Sequence, residues 1–171
     1  GGYLEMSLGR GKTLSGPLSS NDSLRQSYFL NNPEDTDNGY HPQNIFRMIS
    51  RKSWGNTRQE AYFVIKKDNL SASNNRNGSN GLLLMNRYQN GDNLYYAGVR
   101  VDGSAVIKKK KNGVYYTMSQ IENVYTGNYH RTLKPNLLPK DKWIGLRSET
   151  INKPNNSVEI RLYIDMGWRG N

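Results

Sequence analysis

This sequence predicts an all-β chain folded as a two-sheet antiparallel jelly-roll sandwich, and three observations point there. Helix signals are scarce, short runs rich in Val, Ile, Tyr and Phe recur, and clusters of Asn, Gly and Ser separate them as turns. Many short strands between turn signals suit two packed sheets better than layers of helices. The length of 171 residues fits one compact domain. Only 35% of residues are hydrophobic, but 11% are aromatic, 12 of them Tyr, and a disordered polar chain would lack these.

In chain order, residues 1–43 read as an N-terminal segment and an acidic loop, and 44–171 as the jelly-roll domain. Residues 3–25 have no clear place and are a candidate edge strand. The stretch 31–42 is turn-forming and holds three acids, Glu34, Asp35 and Asp37. Strands are predicted over 45–50, 60–66, 82–88, 94–101, 104–110, 114–119, 143–150 and 157–166. Between the second and third, residues 69–81 are low in complexity and read as a loop or insertion. The last strand is the cleanest, because Val158, Ile160, Leu162 and Ile164 alternate with Glu159, Arg161, Tyr163 and Asp165.

The middle of the chain allows a register to be derived. Asp102-Gly103 and Asn112-Gly113 are dipeptides preferred by type I′ hairpin turns, where both central residues need positive φ. Two-residue loops then set the pairing. Around the first bend Val101 faces Ser104, Arg100 faces Ala105, Gly98 faces Ile107 and Tyr96 faces Lys109. Around the second, Lys111 faces Val114, Lys110 faces Tyr115 and Lys109 faces Tyr116. The loop 89–93 adds a fourth strand and sets Asn86 beside Tyr96. The expectation is a four-stranded antiparallel meander.

Two rows follow. Tyr96, Lys109 and Tyr116 lie abreast on one face, with Asn86 beyond and Arg100 further along; Tyr95, Lys110 and Tyr115 form the row opposite. An exposed Tyr-Lys-Tyr row offers rings to stack on sugars and a cation for an acidic group. The same pairs also stabilise a sheet that binds nothing. Ala97, Val99, Val101 and Val106 make the opposite face the better core side, which selects Asn86, Tyr96, Arg100, Lys109 and Tyr116 as the glycan-binding face. Leu84, Ile107 and Met118 share that face and weigh against the choice.

The chain carries 24 Lys+Arg against 14 Asp+Glu, a net charge of +10, which concentrates polyanions of any kind around it. Nucleic acid, acidic polysaccharide and anionic lipid are the classes concerned, and no nucleic-acid-binding motif supports the first. Lys108-Lys109-Lys110-Lys111 reads as a cationic patch or as lysines protecting a strand edge. With no cysteine, disulfides, thiolate zinc sites and cysteine nucleophiles are excluded. The longest apolar run, Leu82-Leu83-Leu84-Met85, is far short of the ~20 residues of a membrane-spanning helix. Gly1-Gly2-Tyr3-Leu4-Glu5 has neither the basic start nor the apolar stretch of a signal peptide, as expected of a processed chain. Four Asn-x-Ser/Thr patterns, at Asn21, Asn69, Asn77 and Asn155, are what this composition yields by chance.

Catalytic patterns are thin. His41 and His130 are the only histidines, and no nucleophile motif accompanies them. A retaining glycosidase needs two flanking carboxylates, but Glu159-Ile160-Arg161 puts an arginine where the second belongs. Glu149 has no acidic partner at strand spacing. A lyase acting on acidic polysaccharide needs a group to neutralise the uronate and a base. Tyr129-His130-Arg131, or Tyr96 near Arg100, supplies those types. Asp35-Thr36-Asp37-Asn38-Gly39 is similar to the start of a calcium loop, with Asp35 and Asp37 as candidate Ca²⁺ ligands, although the spacer and distal Glu are missing.

The stretch NRYQNGDNLYYAGVRVDGSAVIKKKKNGVYYTM resembles the laminin-G-like branch of the concanavalin A-like lectin/glucanase superfamily, as found in extracellular archaeal and bacterial domains. The resemblance runs from about Asn44 through Lys142-Trp143-Ile144-Gly145-Leu146-Arg147-Ser148-Glu149 to Ile164-Asp165. It implies a jelly roll with a concave glycan-binding face, often with calcium, in an extracellular or cell-surface setting. Alginate-lyase-type enzymes share that fold, but their Arg-rich strand and Gln-Ile-His motifs have no match here. Such domains usually continue past the position of Trp168-Arg169-Gly170-Asn171, so the chain is expected to be a fragment or to leave a sheet edge open for self-association. The leading functional expectation is a non-catalytic domain binding an acidic polysaccharide or glycoprotein glycan. The alternatives are a polysaccharide lyase or glycoside hydrolase, and a structural subunit linked by strand exchange.

Overall fold

The computed structural model describes residues 3–7, 10–14, 17–41, 49–50 and 53–167. The chain divides into two compact units, one of Gly1–Met48 with Lys67–Asn80 and one of Ile49–Lys66 with Gly81–Asn171. The division falls after residue 48, where the sequence suggested 43, and the polar insertion belongs to the first unit. The predicted strand 45–50 lies largely outside the described residues; Ile49 and Ser50 are irregular.

In the first unit, β1 (Tyr3–Ser7) pairs antiparallel with β2 (Arg10–Leu14), and α1 (Ser23–Asn31) follows. β1 and β2 form a two-stranded sheet of their own within residues 3–25, where the sequence suggested an edge strand. Ser23 begins a helix because the Asp22 carboxylate accepts the Leu24 N–H at 2.9 Å, satisfying one of the orphan donors of the first turn. A 3-10 turn, Glu34–Thr36, leads into three successive positive-φ residues, Asp37, Asn38 and Gly39. The Thr36 hydroxyl is fully buried beneath them, donating to the Asn32 carbonyl and accepting the Gly39 N–H.

The second unit is the sandwich. Its strands are β3 (Thr57–Val64), β4 (Gly81–Asn90), β5 (Asn93–Arg100), β6 (Ala105–Lys111), β7 (Val114–Ile121), β8 (Trp143–Asn152) and β9 (Val158–Asp165). They form two antiparallel sheets, ordered β3-β8-β9 and β4-β5-β6-β7, so the predicted meander is present. Between the sheets Leu84, Val99, Ala105, Ile144 and Leu146 form the core, joined by Ala61, Phe63, Leu162 and Ile164 and closed by Tyr125 and Leu138. Burying Ile144 and Leu146, at 0% and 1% exposure, stabilises the fold by roughly 1.5–3 kcal/mol each. The inward Leu162 and Ile164 are the residues that the alternation in the last strand predicted.

A polar bridge crosses this core. The Asn86 side-chain oxygen accepts from Thr150 Oγ1 at 2.8 Å, Gln59 Nε2 at 2.9 Å and Ser148 Oγ at 3.2 Å, while its amide donates to the Leu84 carbonyl. Asn86, Ser148 and Thr150 are all buried, and full satisfaction makes such a network tolerable. On the other face of the four-stranded sheet, Leu94, Tyr96 and Val106 form a second buried cluster with Leu83 and Tyr88. At the sheet's edge β7 is exposed at every residue.

Candidate functional site

The candidate site is set by two bends and their registers. At the second, Asn112 and Gly113 have φ of 50° and 81°, the pair of positive values a type I′ turn requires. Lys111 pairs with Val114, Lys110 with Tyr115 and Lys109 with Tyr116, as predicted. Past that point β7 bulges: Thr117 pairs with Lys108 and Ser119 with Ile107, leaving Met118 as the extra residue.

The first bend corrects the prediction. Gly103 N–H donates to the Arg100 carbonyl at 3.0 Å, and Arg100 N–H donates to the Ser104 carbonyl at 2.8 Å. Only Gly103 has positive φ here, at 85°. The loop therefore has three residues, Val101, Asp102 and Gly103, in the form of a type I turn closed by a left-handed glycine. One additional loop residue slides β6 by one position, which exchanges its faces relative to β5. Lys109 consequently sits opposite Tyr95, Lys108 opposite Tyr96 and Val106 opposite Gly98. On β4, Asn86 is beside Tyr95, with Met85 beside Tyr96.

The five residues assigned to one face are thus divided. Asn86, Lys109 and Tyr116 share the core-facing side with Leu84 and Ile107. Asn86 is spent on the internal bridge and is 2% exposed. Tyr96 and Arg100 lie on the other side. Tyr96 is buried against Leu94 and Val106, and that burial pushes its phenol above the ordinary tyrosine range. Arg100 turns to Asp102 at 2.7 Å.

What the structure brings together is Tyr95, Lys109 and Tyr116, abreast on three adjacent strands. Lys109 Nζ lies 5.5 Å from the centroid of the Tyr95 ring, and Tyr116 is half-exposed. β4 and β5 are the strands that pack on β8 and β9, so the row runs outward from covered sheet onto β7, which is open on both sides. Tyr95 is the member that sequence reasoning placed on the wrong face. Its signal was in the Asp-Gly dipeptide, which serves a three-residue loop as readily as a two-residue one. On the opposite side Lys110 Nζ lies 4.9 Å from the Tyr115 centroid but is held by the Gly91 carbonyl at 2.9 Å and Asp92 at 3.2 Å.

The catalytic candidates do not assemble. A Tyr96 phenol pushed upward by burial keeps its proton and is poorly suited as a base. The His130 Nδ1 accepts the Thr132 and Leu133 N–H groups and shapes a turn. Glu149 stands between Arg58 and Arg161 in register, with no acid abreast of it.

The calcium candidates serve a loop. Asp35 Oδ1 accepts from Ser73 Oγ at 2.5 Å and Asn75 Nδ2 at 2.7 Å, and these donors, Ser73 first, hold its carboxyl below the usual range. Both Asp37 oxygens accept the Ala72 N–H, and one also meets His41 Nδ1 at 2.7 Å. Among the described residues, no three His, Asp or Glu side chains gather as a metal group.

No helix among the described residues is long and apolar enough to cross a membrane. No family model, curated protein or solved structure matches the chain.

Proposed function

We propose that this chain is a non-catalytic carbohydrate-binding or adhesion domain, extracellular or at a cell surface, that prefers acidic glycans. The observation that carries the reading is Lys109 held between Tyr95 and Tyr116 at an open sheet edge. Tyrosine rings present apolar faces to sugar rings while the ammonium meets a uronate or sulfate. The net charge of +10 draws polyanions toward that edge. A glycan array comparing uronate and sulfated chains with neutral ones tests this. The Lys109→Glu/Tyr116→Ala double variant should retain its fold by circular dichroism and lose acidic-chain binding by about tenfold or more. An unchanged array profile would retire the assignment.

A structural subunit linked by strand exchange is the second reading, favoured by β7 itself. Its eight residues, Val-Tyr-Tyr-Thr-Met-Ser-Gln-Ile, are uncharged and all exposed, and an unprotected edge of that kind recruits further strands. Sedimentation at micromolar concentration should then show dimers or longer assemblies; a single monomeric boundary would discard this reading.

A further inference from the structure

The three-stranded sheet carries a surface of different chemistry. Side chains turned away from the core on β3, β8 and β9 fall into rows: Arg58, Glu149 and Arg161; Glu60, Arg147 and Tyr163; Tyr62, Gly145 and Asp165. Trp143 lies two residues before Gly145 on the same side of β8. Tyr62, Trp143 and Tyr163 are 47%, 40% and 39% exposed as whole residues. Gly145 makes the arrangement possible. A Cβ there would lie 2.7 Å from a Tyr62 ring carbon and 3.0 Å from Asp165 Cβ, so Tyr62 leans across bare backbone.

The charges on this face answer one another. Arg58 pairs with Glu60 at 3.2 Å, and Arg147 and Arg161 both approach Glu149, at 3.7 and 3.9 Å. Arg161 also pairs with Glu159, which in turn meets Lys153. The Arg147 guanidinium stacks 4.0 Å from the Tyr163 centroid, and the Tyr163 and Tyr62 hydroxyls donate to Glu149 and Glu60. Arg58 and Glu60 are both exposed, and a pair of that kind adds only about 0–1 kcal/mol. On a chain whose net charge is +10, this face is electrically balanced.

We propose that the outer face of β3-β8-β9 is a second saccharide surface, one that takes an uncharged polysaccharide chain. The Trp143 and Tyr62 rings stack on sugar faces, and Tyr163, with Arg147 stacked on it, borders them. The carboxylates accept, and the guanidinium groups donate, hydrogen bonds to hydroxyls without attracting or repelling net charge. An acidic chain gains no net attraction here, because Arg58 answers Glu60 and Arg147 and Arg161 answer Glu149. Different strands and residues carry this proposal and the acidic-glycan reading, so each can fail without the other.

Affinity electrophoresis and calorimetry with cellulose-type, laminarin-type, xylan and mannan oligosaccharides, beside alginate, test it at low and high salt. At least one neutral oligosaccharide should bind with an affinity that salt leaves unchanged, whereas alginate binding should fall as salt rises. Trp143→Ala should weaken the neutral ligand about tenfold, and Lys109→Glu/Tyr116→Ala should leave it intact. Tyr62→Phe, which keeps the ring over Gly145, should retain most binding and guards against misreading a folding defect. The proposal is overturned if no neutral oligosaccharide binds, if Trp143→Ala binds one as tightly as the parent chain, or if Trp143→Ala weakens alginate instead.

Discussion

The bends at Asp102-Gly103 and Asn112-Gly113 use nearly the same residue pair, join neighbouring strands of one sheet, and still fold differently. The second is a two-residue turn with both residues at positive φ. In the first, Asp102 keeps an ordinary φ and its carboxylate is occupied, pairing with Arg100 at 2.7 Å and accepting the Ser104 N–H at 3.0 Å and hydroxyl at 2.6 Å. Its surroundings differ too. The Gly103 carbonyl accepts the Tyr125 N–H at 3.0 Å and the Val101 carbonyl accepts the Leu137 N–H at 2.8 Å, so the loop that closes the core grips this bend. The Asn112 and Gly113 N–H groups donate to the neighbouring hairpin end, at Asn93 and Asp92. A turn dipeptide thus marks where a chain reverses, while the contacts around it choose the loop length and, through it, the face every later side chain occupies.

The strongest way to break this comparison is to delete Val101, which shortens the first loop to two residues. Arg100 would still face Ser104 and the register would survive, but Asp102 would have to join Gly103 at positive φ and the Leu137 N–H would lose the Val101 carbonyl. We expect a loss of about 3–5 kcal/mol, read as a lower urea midpoint. An unchanged midpoint would show that the three-residue loop and its bond to Leu137 are immaterial to this bend.

A gentler test compares the two glycines. Gly103→Ala places a Cβ 2.0 Å from the Tyr125 carbonyl oxygen at a φ of 85°, so backbone must move; about 3 kcal/mol or more should be lost. Gly113→Ala meets nothing nearer than an Asp92 oxygen at 3.7 Å and should lose only the left-handed penalty of about 1–2 kcal/mol. Urea midpoints at constant m-value measure both. Equal losses would mean that the grip from Tyr125 is immaterial.

Much of the sandwich was legible because alternation and turn residues are local signals. The strands β3 to β9 each overlap a predicted run, and the lysine run was placed on a strand beside Tyr115 and Tyr116. Two kinds of feature were not legible. The helix α1 has no buried residue to impose a periodic pattern, so its one clear sign was the Asp22 cap. The division of the candidate face was hidden because Asp-Gly suits both loop types, and a slip of one residue moved Tyr96 and Val106 into a separate buried cluster. Asn86 looked like a sugar-binding amide. Its partners Gln59, Ser148 and Thr150 lie on strands distant in sequence, so its internal role could not be read locally.

By itself the sequence determined the all-β class, the positions of β3 to β9, the Asn112-Gly113 turn and the pairing of Lys109 with Tyr116, since each depends on residues close together along the chain. Only the tertiary structure decided the pairing of Lys109 with Tyr95, the burial of Tyr96 and Asn86, and the meeting of Tyr62, Gly145 and Arg147 with Tyr163. Those depend on packing and hydrogen bonds between segments far apart in sequence, whose energies no local pattern encodes.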